Sequence, residues 1–401
     1  TIRKLPDINT LTKGNIKITD IQRVEIEDLL GRDAIKPDSY LLKSCIENKT
    51  VMITGCGGSI GSELSRQIIG LNPDKIVLIE QSEYFLYEID QELNEINNNS
   101  QSRTIIKSFL GSVSDHEFMA AIFTKHKIDT IYHAAANKHV PLVEYNPIAA
   151  IKTNILGTHI VAQLAQQNNV ANFVLISSDK AVRPTNIMGA TKRFAELILQ
   201  ALQDKGSDQK PNNTKFCMVR FGNVLDTSGS VVPLFRKQIA KGGPVTVTDK
   251  RVIRYFMTIK EATELVIQAG SMSKGGDVFL LEMGEPVYVL DLAKEMIRLS
   301  GYEVKNEDNP YGDIEIIFTG LRAGEKLYEE LLIGDDVSQT THKHIMSANE
   351  EKLSHDKIID LIDQFSGLTA KSNLNEIHNI LFQSVKGYEP SKNNVVDISS
   401  K

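Results

Sequence analysis

The sequence carries no surplus of positive charge: 45 basic against 51 acidic residues give a formal net charge of −6. That excludes a nucleic-acid binder working through bulk charge. No apolar run approaches the ~18 residues that a membrane-spanning helix needs, and the opening residues of this stretch do not read as a secretory signal. Cysteine is scarce. Cys45, Cys56 and Cys217 are scattered, odd in number and without C-x-x-C spacing, which predicts a reducing compartment and no zinc or other metal site. There is no internal repeat and no low-complexity tract. The first residue is Thr1, not Met, so the lack of a membrane segment is expected to hold for this stretch only.

What is present is ordinary for a globular protein: 401 residues, 41% hydrophobic and 24% charged, long enough for more than one subdomain. Residues 1–48 are polar and read as a lead-in, with a short helix suggested by Ile21, Val24, Ile26, Leu29 and Leu30. From Thr50 short apolar runs (Val51–Thr54, Lys75–Ile79, Thr104–Ser108, Thr130–His133, Phe173–Ser177, Phe216–Arg220) alternate with helix-length segments. This rhythm predicts an α/β fold, a Rossmann-type doubly wound parallel sheet with helices on both faces. Residues 49–222 are expected to form that domain. Residues 223–345, looser and marked by Gly and Pro, are expected to form a smaller mixed α/β substrate domain, with pieces such as Val278–Leu281 returning to the sheet. Residues 346–401 read as a helical tail with a frayed end.

The stretch from Val51 to Gly61 reads as a buried strand, a Gly-rich turn and a helix start, with Gly55, Gly58 and Gly61 in G-x-x-G-x-x-G spacing. A dinucleotide site needs such glycines for a tight turn, for close approach to pyrophosphate and for helix–strand packing. The helix N-terminus adds free N–H groups and a favourable dipole. Glu80 closes the next strand, 19 residues after Gly61, where a carboxylate accepts from ribose hydroxyls and repels a 2′-phosphate. The reading is NAD rather than NADP.

The most informative stretch runs from Val174 to Arg193. A buried strand delivers Ser177, Ser178, Asp179 and Lys180 at its carboxyl end, where doubly wound folds keep their sites. Met188 and Lys192 then open a helix with M-x-x-x-K spacing. Here the chain resembles the extended short-chain dehydrogenase/reductases, and within them the long type of UDP-N-acetylglucosamine 4,6-dehydratase of bacterial polysaccharide synthesis. The likeness covers roughly residues 20 to 345. It rests on TGCGGSIGSEL, HAAANKHVPLVE, NILGT, SSDKAVRPTNIMGATKR, RFGNVLDTSGSVVPLF, RYFMT and LRAGEKLYEEL. The wider family has tyrosine where Met188 stands, and methionine cannot act as a base. That departure is typical of the long dehydratase type, and it argues against a plain dehydrogenase or an epimerase.

The resemblance implies a lyase with bound NAD. Hydride leaves C4 of the sugar and returns to C6, water is lost across C5 and C6, and the C5 configuration is retained. It implies Asp179 as the acid at the C6 hydroxyl, with a raised pKa, and Lys180 as the base at C5, with a lowered one. Ser178 would meet the C4 oxygen, Met188 would mark the subtype, and Lys192 would hold the nicotinamide ribose. The cofactor set it implies is Gly55, Gly58, Ser59, Ile60, Gly61, Glu80, Ser112, Val113, Ala134, Ala135 and Lys192; the substrate set is Lys138, Asn223, Val232, Arg254 and Arg322. It also implies a homo-oligomer, a membrane-anchored region ahead of Thr1 and an active domain on the cytoplasmic face. His133 is given no role. Two readings compete: a C5-inverting dehydratase or nucleotide-sugar epimerase, and a non-catalytic NAD-binding module.

Overall fold

The computed structural model describes residues 3–4, 22–23, 36–100, 103–204, 213–322, 324–330 and 337–390. The helix expected around 21–30 falls mostly outside these residues; Gln22–Arg23 instead forms a short antiparallel ladder with Arg3–Lys4.

One nine-stranded sheet organises the molecule. In chain order its strands are β1 (Thr50–Thr54), β2 (Lys75–Glu80), β3 (Ile105–Leu110), β4 (Thr130–His133), β5 (Asn172–Ile176), β6 (Lys215–Arg220), β7 (Asp277–Leu281), β8 (Val337–Gln339) and β9 (Ile345–Ala348). Their spatial order is β8-β9-β7-β6-β5-β4-β1-β2-β3. Strands β1 to β7 run parallel, and β9 and β8 are added antiparallel. The strand order reverses between β1 and β4, and a doubly wound sheet opens its crevice at that point, beyond the carboxyl ends of the strands.

The apolar runs are continuous because both faces are covered. Met52, Phe173, Leu175, Met218 and Val278 face one core. Their neighbours Val51, Ile53, Val174, Cys217 and Val219 face the other. Helices α1 (Ser59–Ile69) and α2 (Glu83–Asn99) pack on the second face. On the first face lie α3 (His116–Lys125), α4 (Thr158–Gln167) and α5 (Ile187–Asp204). Side-chain caps fix several starts: Asp115 accepts from Phe118 N at 3.0 Å ahead of α3, and Asn186 accepts from Gly189 N at 2.8 Å at the head of α5.

Helix α5 is buried along its whole length from Ile187 to Leu202, which an amphipathic surface helix could not be. The cover on its outer side comes from the tail helices, α6 (His355–Lys371) and α7 (Leu374–Ser384). Phe194 of α5 meets Phe365 of α6 edge-on at 5.1 Å. Beneath α5 a buried ion cluster joins Arg193, Glu196, Arg220 and Glu350. Burial alone would raise the Glu196 carboxyl, but Arg220, Arg193 and the Ser177 hydroxyl push it down to about 2.

The looser region builds a third core of its own. Residues 245–247, 314–318 and 304–305 form a small parallel sheet, and Phe235, Ile239, Met296, Ile297 and Ile314 pack with it. Residues 277–281 leave this region and enter the main sheet as β7. Among the described residues no helix is long and apolar enough to cross a membrane, and no cluster of His, Cys, Asp or Glu could hold a metal ion.

Candidate active site

Two clefts open at the carboxyl ends of the strands. The first, about 250 Å³, is lined by Gly55, Gly58, Glu80, Ser112, Val113, Ala134 and Ala135, together with Gln81, Ser82, Phe85, Gly111, Ala136 and Thr153. Gly55 has φ +66°, and a Cβ there would lie 2.7 Å from the Ala135 backbone. A Cβ on Gly61 would lie 2.0 Å from the Gly55 carbonyl oxygen. These glycines let strand, turn and helix close on one another. Glu80 accepts from three backbone N–H groups: Gly57 at 3.1 Å, Gln81 at 2.9 Å and Ser82 at 3.1 Å. Its carboxylate is thereby fixed at the cleft wall. Ser59, Ile60, Gly61 and Lys192 lie outside this lining. The Ser59 hydroxyl instead accepts from Ser228 N at 3.0 Å, and Ile60 packs against the second core.

The second cleft, about 310 Å³, is lined by Lys138, Lys180, Asn223, Arg254 and Arg322 among others. Five residues separated by up to 184 positions in the chain thus share one wall. Val232 does not. It is fully buried in the third core, while its neighbour Val231 reaches the cleft. Successive residues of a helix point about 100° apart, so a one-residue error moves the side chain from cleft to core.

Between the clefts lies the turn after β5. Asp179 is 1% exposed. Its Oδ1 accepts from Lys180 Nζ at 3.0 Å and from the Ser178 hydroxyl at 2.8 Å; its Oδ2 is buried and has no hydrogen-bond partner. A buried acceptor left unmade is costly, so this oxygen is where a ligand hydroxyl would be most favoured. Lys180 has 24% of its side chain exposed and lies 3.6 Å from Glu329. The lowered lysine pKa expected from the sequence is corrected here. Burial lowers it, but Asp179 and Glu329 outweigh burial, and the amine is raised above its ordinary value. In this arrangement Lys180 is an ammonium.

Met188 is buried, 3% exposed, on the first turn of α5. That turn fits against the Lys180 carbonyl because residue 189 is glycine; a Cβ there would sit 2.1 Å from the oxygen. Lys192, one turn on, donates to the Ile176 carbonyl at the end of β5. Burial pulls its amine down to about 8, against the opposing charge of Glu196. His133 is packed, held by the Thr54 hydroxyl at 2.8 Å and the Thr158 hydroxyl at 3.1 Å, and burial pushes it down to about 3.

Arg254 is 8% exposed and already engaged. Its guanidinium donates to the carbonyls of Ile253, Leu327 and Lys326 and lies 3.4 Å from Glu325 and 3.7 Å from Glu329. It clasps the 325–329 segment, whereas Arg322 is exposed at the cleft. Glu325 in turn accepts from Arg322 N at 3.1 Å and from the Thr248 hydroxyl at 3.0 Å. Asn154 ties Asn137 to Thr191 through its amide, which braces the loop carrying Lys138.

The sequence reading missed Phe85, Thr153 and Glu329. Glu329 is one of two adjacent acids in LYEEL, and nothing in its spacing points to Lys180, which lies 149 residues earlier.

The family model described as polysaccharide biosynthesis protein matches residues 51–350. The capsular polysaccharide biosynthesis protein CapD of Staphylococcus aureus is 46% identical over 90% of this chain, which spans only 59% of CapD's length. A UDP-N-acetylglucosamine 4,6-dehydratase (inverting) of Campylobacter jejuni is 29% identical over 79% of this chain and 86% of that protein. The X-ray structure of Pen from Bacillus thuringiensis superposes with a TM-score of 0.66 at 32% identity, covering 80% of this chain and 99% of that one.

Proposed function

We propose a function for this chain, which belongs to the polysaccharide biosynthesis protein family: it is a nucleotide-sugar 4,6-dehydratase that acts on UDP-N-acetylglucosamine and retains the C5 configuration. The observation that carries the reading is the Asp179–Lys180 pair at the end of β5, hydrogen-bonded at 3.0 Å, with Lys180 on a cleft that also gathers Lys138 and Arg322. Buried Met188 supports dehydration over epimerisation, because it leaves no phenol at the first turn of α5.

The residues of the first cleft fit NAD. Gly55 and Gly61 occupy positions where a Cβ would push apart the strand, turn and helix that shape the cradle, and the fixed Glu80 carboxylate suits ribose hydroxyls and disfavours a 2′-phosphate. Gly55, Gly58, Glu80, Ser112, Val113, Ala134 and Ala135 would hold it. When bound, NAD supplies the acceptor for the C4 hydride and the source of the C6 hydride.

The protein's own part is proton handling. The resting ion pair has its proton on Lys180. One transfer along the Nζ–H···Oδ1 hydrogen bond converts it to a neutral amine and a carboxylic acid. That is the pair the elimination requires: Lys180 takes the C5 proton and Asp179 gives one to the departing C6 hydroxyl. Displacement of water from the cleft by a bound nucleotide sugar would favour the neutral form of such a pair. Ser178, on releasing Asp179 Oδ1, would donate toward the C4 oxygen, and the buried Lys192 supplies positive potential at the end of β5. Lys138, Asn223 and Arg322 offer donors and charge to a diphosphate.

The test is mass spectrometry of UDP-N-acetylglucosamine incubated with the protein and NAD. The expected product is lighter by one water with no net NADH. A product of unchanged mass that is the C4 epimer would establish the epimerase reading instead.

A further inference from the structure

The substrate cleft holds a carboxylate that the reaction above does not use. The Glu329 side chain is 5% exposed, and its Oε1 lies 3.6 Å from Lys180 Nζ and 3.7 Å from Arg254 Nε. One oxygen therefore faces two cations. These are ion-pair distances, too long for direct hydrogen bonds. The two cations differ in freedom. Arg254 is fixed by three backbone carbonyls and by Glu325, whereas the Lys180 ammonium makes a side-chain hydrogen bond to Asp179 alone. The fixed partner anchors Glu329, and Glu329 acts on the free one.

We propose that Glu329 is a positioning residue for Lys180: anchored on Arg254, it holds the lysine nitrogen between two carboxylates and retains the proton on it. The consequence for catalysis rests on the proposed function, in which that proton must move to Asp179 before Lys180 can act as a base. The contact itself does not depend on that reading. The charged groups facing Lys180 come from several elements. Asp179 on its own turn and Glu329 favour the ammonium, as does Glu325 from the same loop. Arg254, Lys326, Arg322 and Lys138, which line the same cleft, oppose it, and neutral His139 adds no charge.

The test reads Lys180 directly. The protein is labelled with trace acetic anhydride across a pH series, and acetylation of Lys180 is quantified by peptide mass spectrometry. With Glu329→Gln the ammonium loses one of its two nearby carboxylates. The midpoint for Lys180 is expected to fall by about one pH unit, which makes labelling about tenfold faster at a fixed pH below it. Glu329→Asp, which keeps the charge but withdraws it, is expected to give a smaller fall. Glu330→Gln, which touches Arg183 instead, is expected to leave the midpoint in place.

In turnover, the alkaline limb of the kcat/KM profile, where the pair loses its one proton, is expected to move to lower pH in Glu329→Gln, a readout that a purely structural loss would not move. An unchanged Lys180 midpoint in folded Glu329→Gln would overturn the proposal. Should that variant not fold, an unchanged midpoint in Glu329→Asp would do so. If the protein and its variants lose no water from the nucleotide sugar, the dehydratase reading fails while the labelling result still decides the role of Glu329.

Discussion

The two clefts are made of opposite materials. The dinucleotide-type cleft is backbone and small side chains: glycines at 55, 58 and 111, alanines at 134–136, and one carboxylate pinned by three N–H groups. The other cleft carries a set of charges, Lys180, Glu329, Arg254 and Glu325, with Asp179 buried behind Lys180, each defined by its neighbours. The first is sensitive to any added atom, and the second to any lost charge. The comparison sharpens if substitutions at one cleft leave the other intact, and it breaks if they do not.

Lys180→Ala is the largest expected break on the charged side. In the proposed reaction Lys180 moves a proton, so its removal is expected to lower turnover by about 10²–10⁴-fold and to leave NAD affinity unchanged. Isothermal titration alongside the turnover assay checks both halves. A parallel loss of NAD binding would mean that the two clefts are not separable.

Glu196→Gln comes next, acting through the frame beneath both clefts. It leaves Arg220 and Arg193 sharing Glu350 as their remaining carboxylate, and losing one partner of a buried ion cluster costs about 3–5 kcal/mol, read by denaturant unfolding. The same carboxyl fixes an acid dependence. Its folded pKa of about 2 lies below the ordinary 4.5, so its stabilisation is present above pH 4.5 and lost as pH falls through 2. Buried His133, held at about 3 against 6.5, loses stability in the same direction between those values. Unfolding free energy is therefore expected to fall steadily below pH 6.5, and Glu196→Gln to flatten only the lower part of that slope.

Gly61→Ala tests the backbone side. The added Cβ would overlap the Gly55 oxygen at 2.0 Å. Overpacking of this kind costs about 1–3 kcal/mol, and NAD binding is expected to weaken at least about tenfold, as one such increment is 1.4 kcal/mol. The Lys180 labelling midpoint should not change. Glu80→Gln is the smallest. Three N–H contacts lose a charged acceptor, a difference of about 1 kcal/mol, so NAD affinity falls several-fold and discrimination against NADP relaxes by competition titration.

The same contrast explains what could be read from the sequence. Alternating strands and helices announced the doubly wound sheet, and glycine spacing located the first cleft, because both are local patterns that the backbone must satisfy. The charged cleft was legible only as a roster. Lys138, Lys180, Asn223, Arg254 and Arg322 do meet, but the raised Lys180 amine depends on Glu329, and the clasped state of Arg254 depends on carbonyls of residues 326 and 327. Such pairings come from long-range folding and leave no spacing to read. Val232 failed for a smaller reason: helix phase near a cleft cannot be fixed from one turn of sequence. The complete burial of α5 was hidden as well, since its cover lies in a tail some 160 residues later.

The most direct measurement is a proton NMR time course of the protein with UDP-N-acetylglucosamine and NAD in deuterated water. The account predicts a new C6 methyl signal, deuterium at C5 with the gluco configuration kept, and no net NADH. A C4-epimerised sugar without the methyl, or a methyl product inverted at C5, would contradict it.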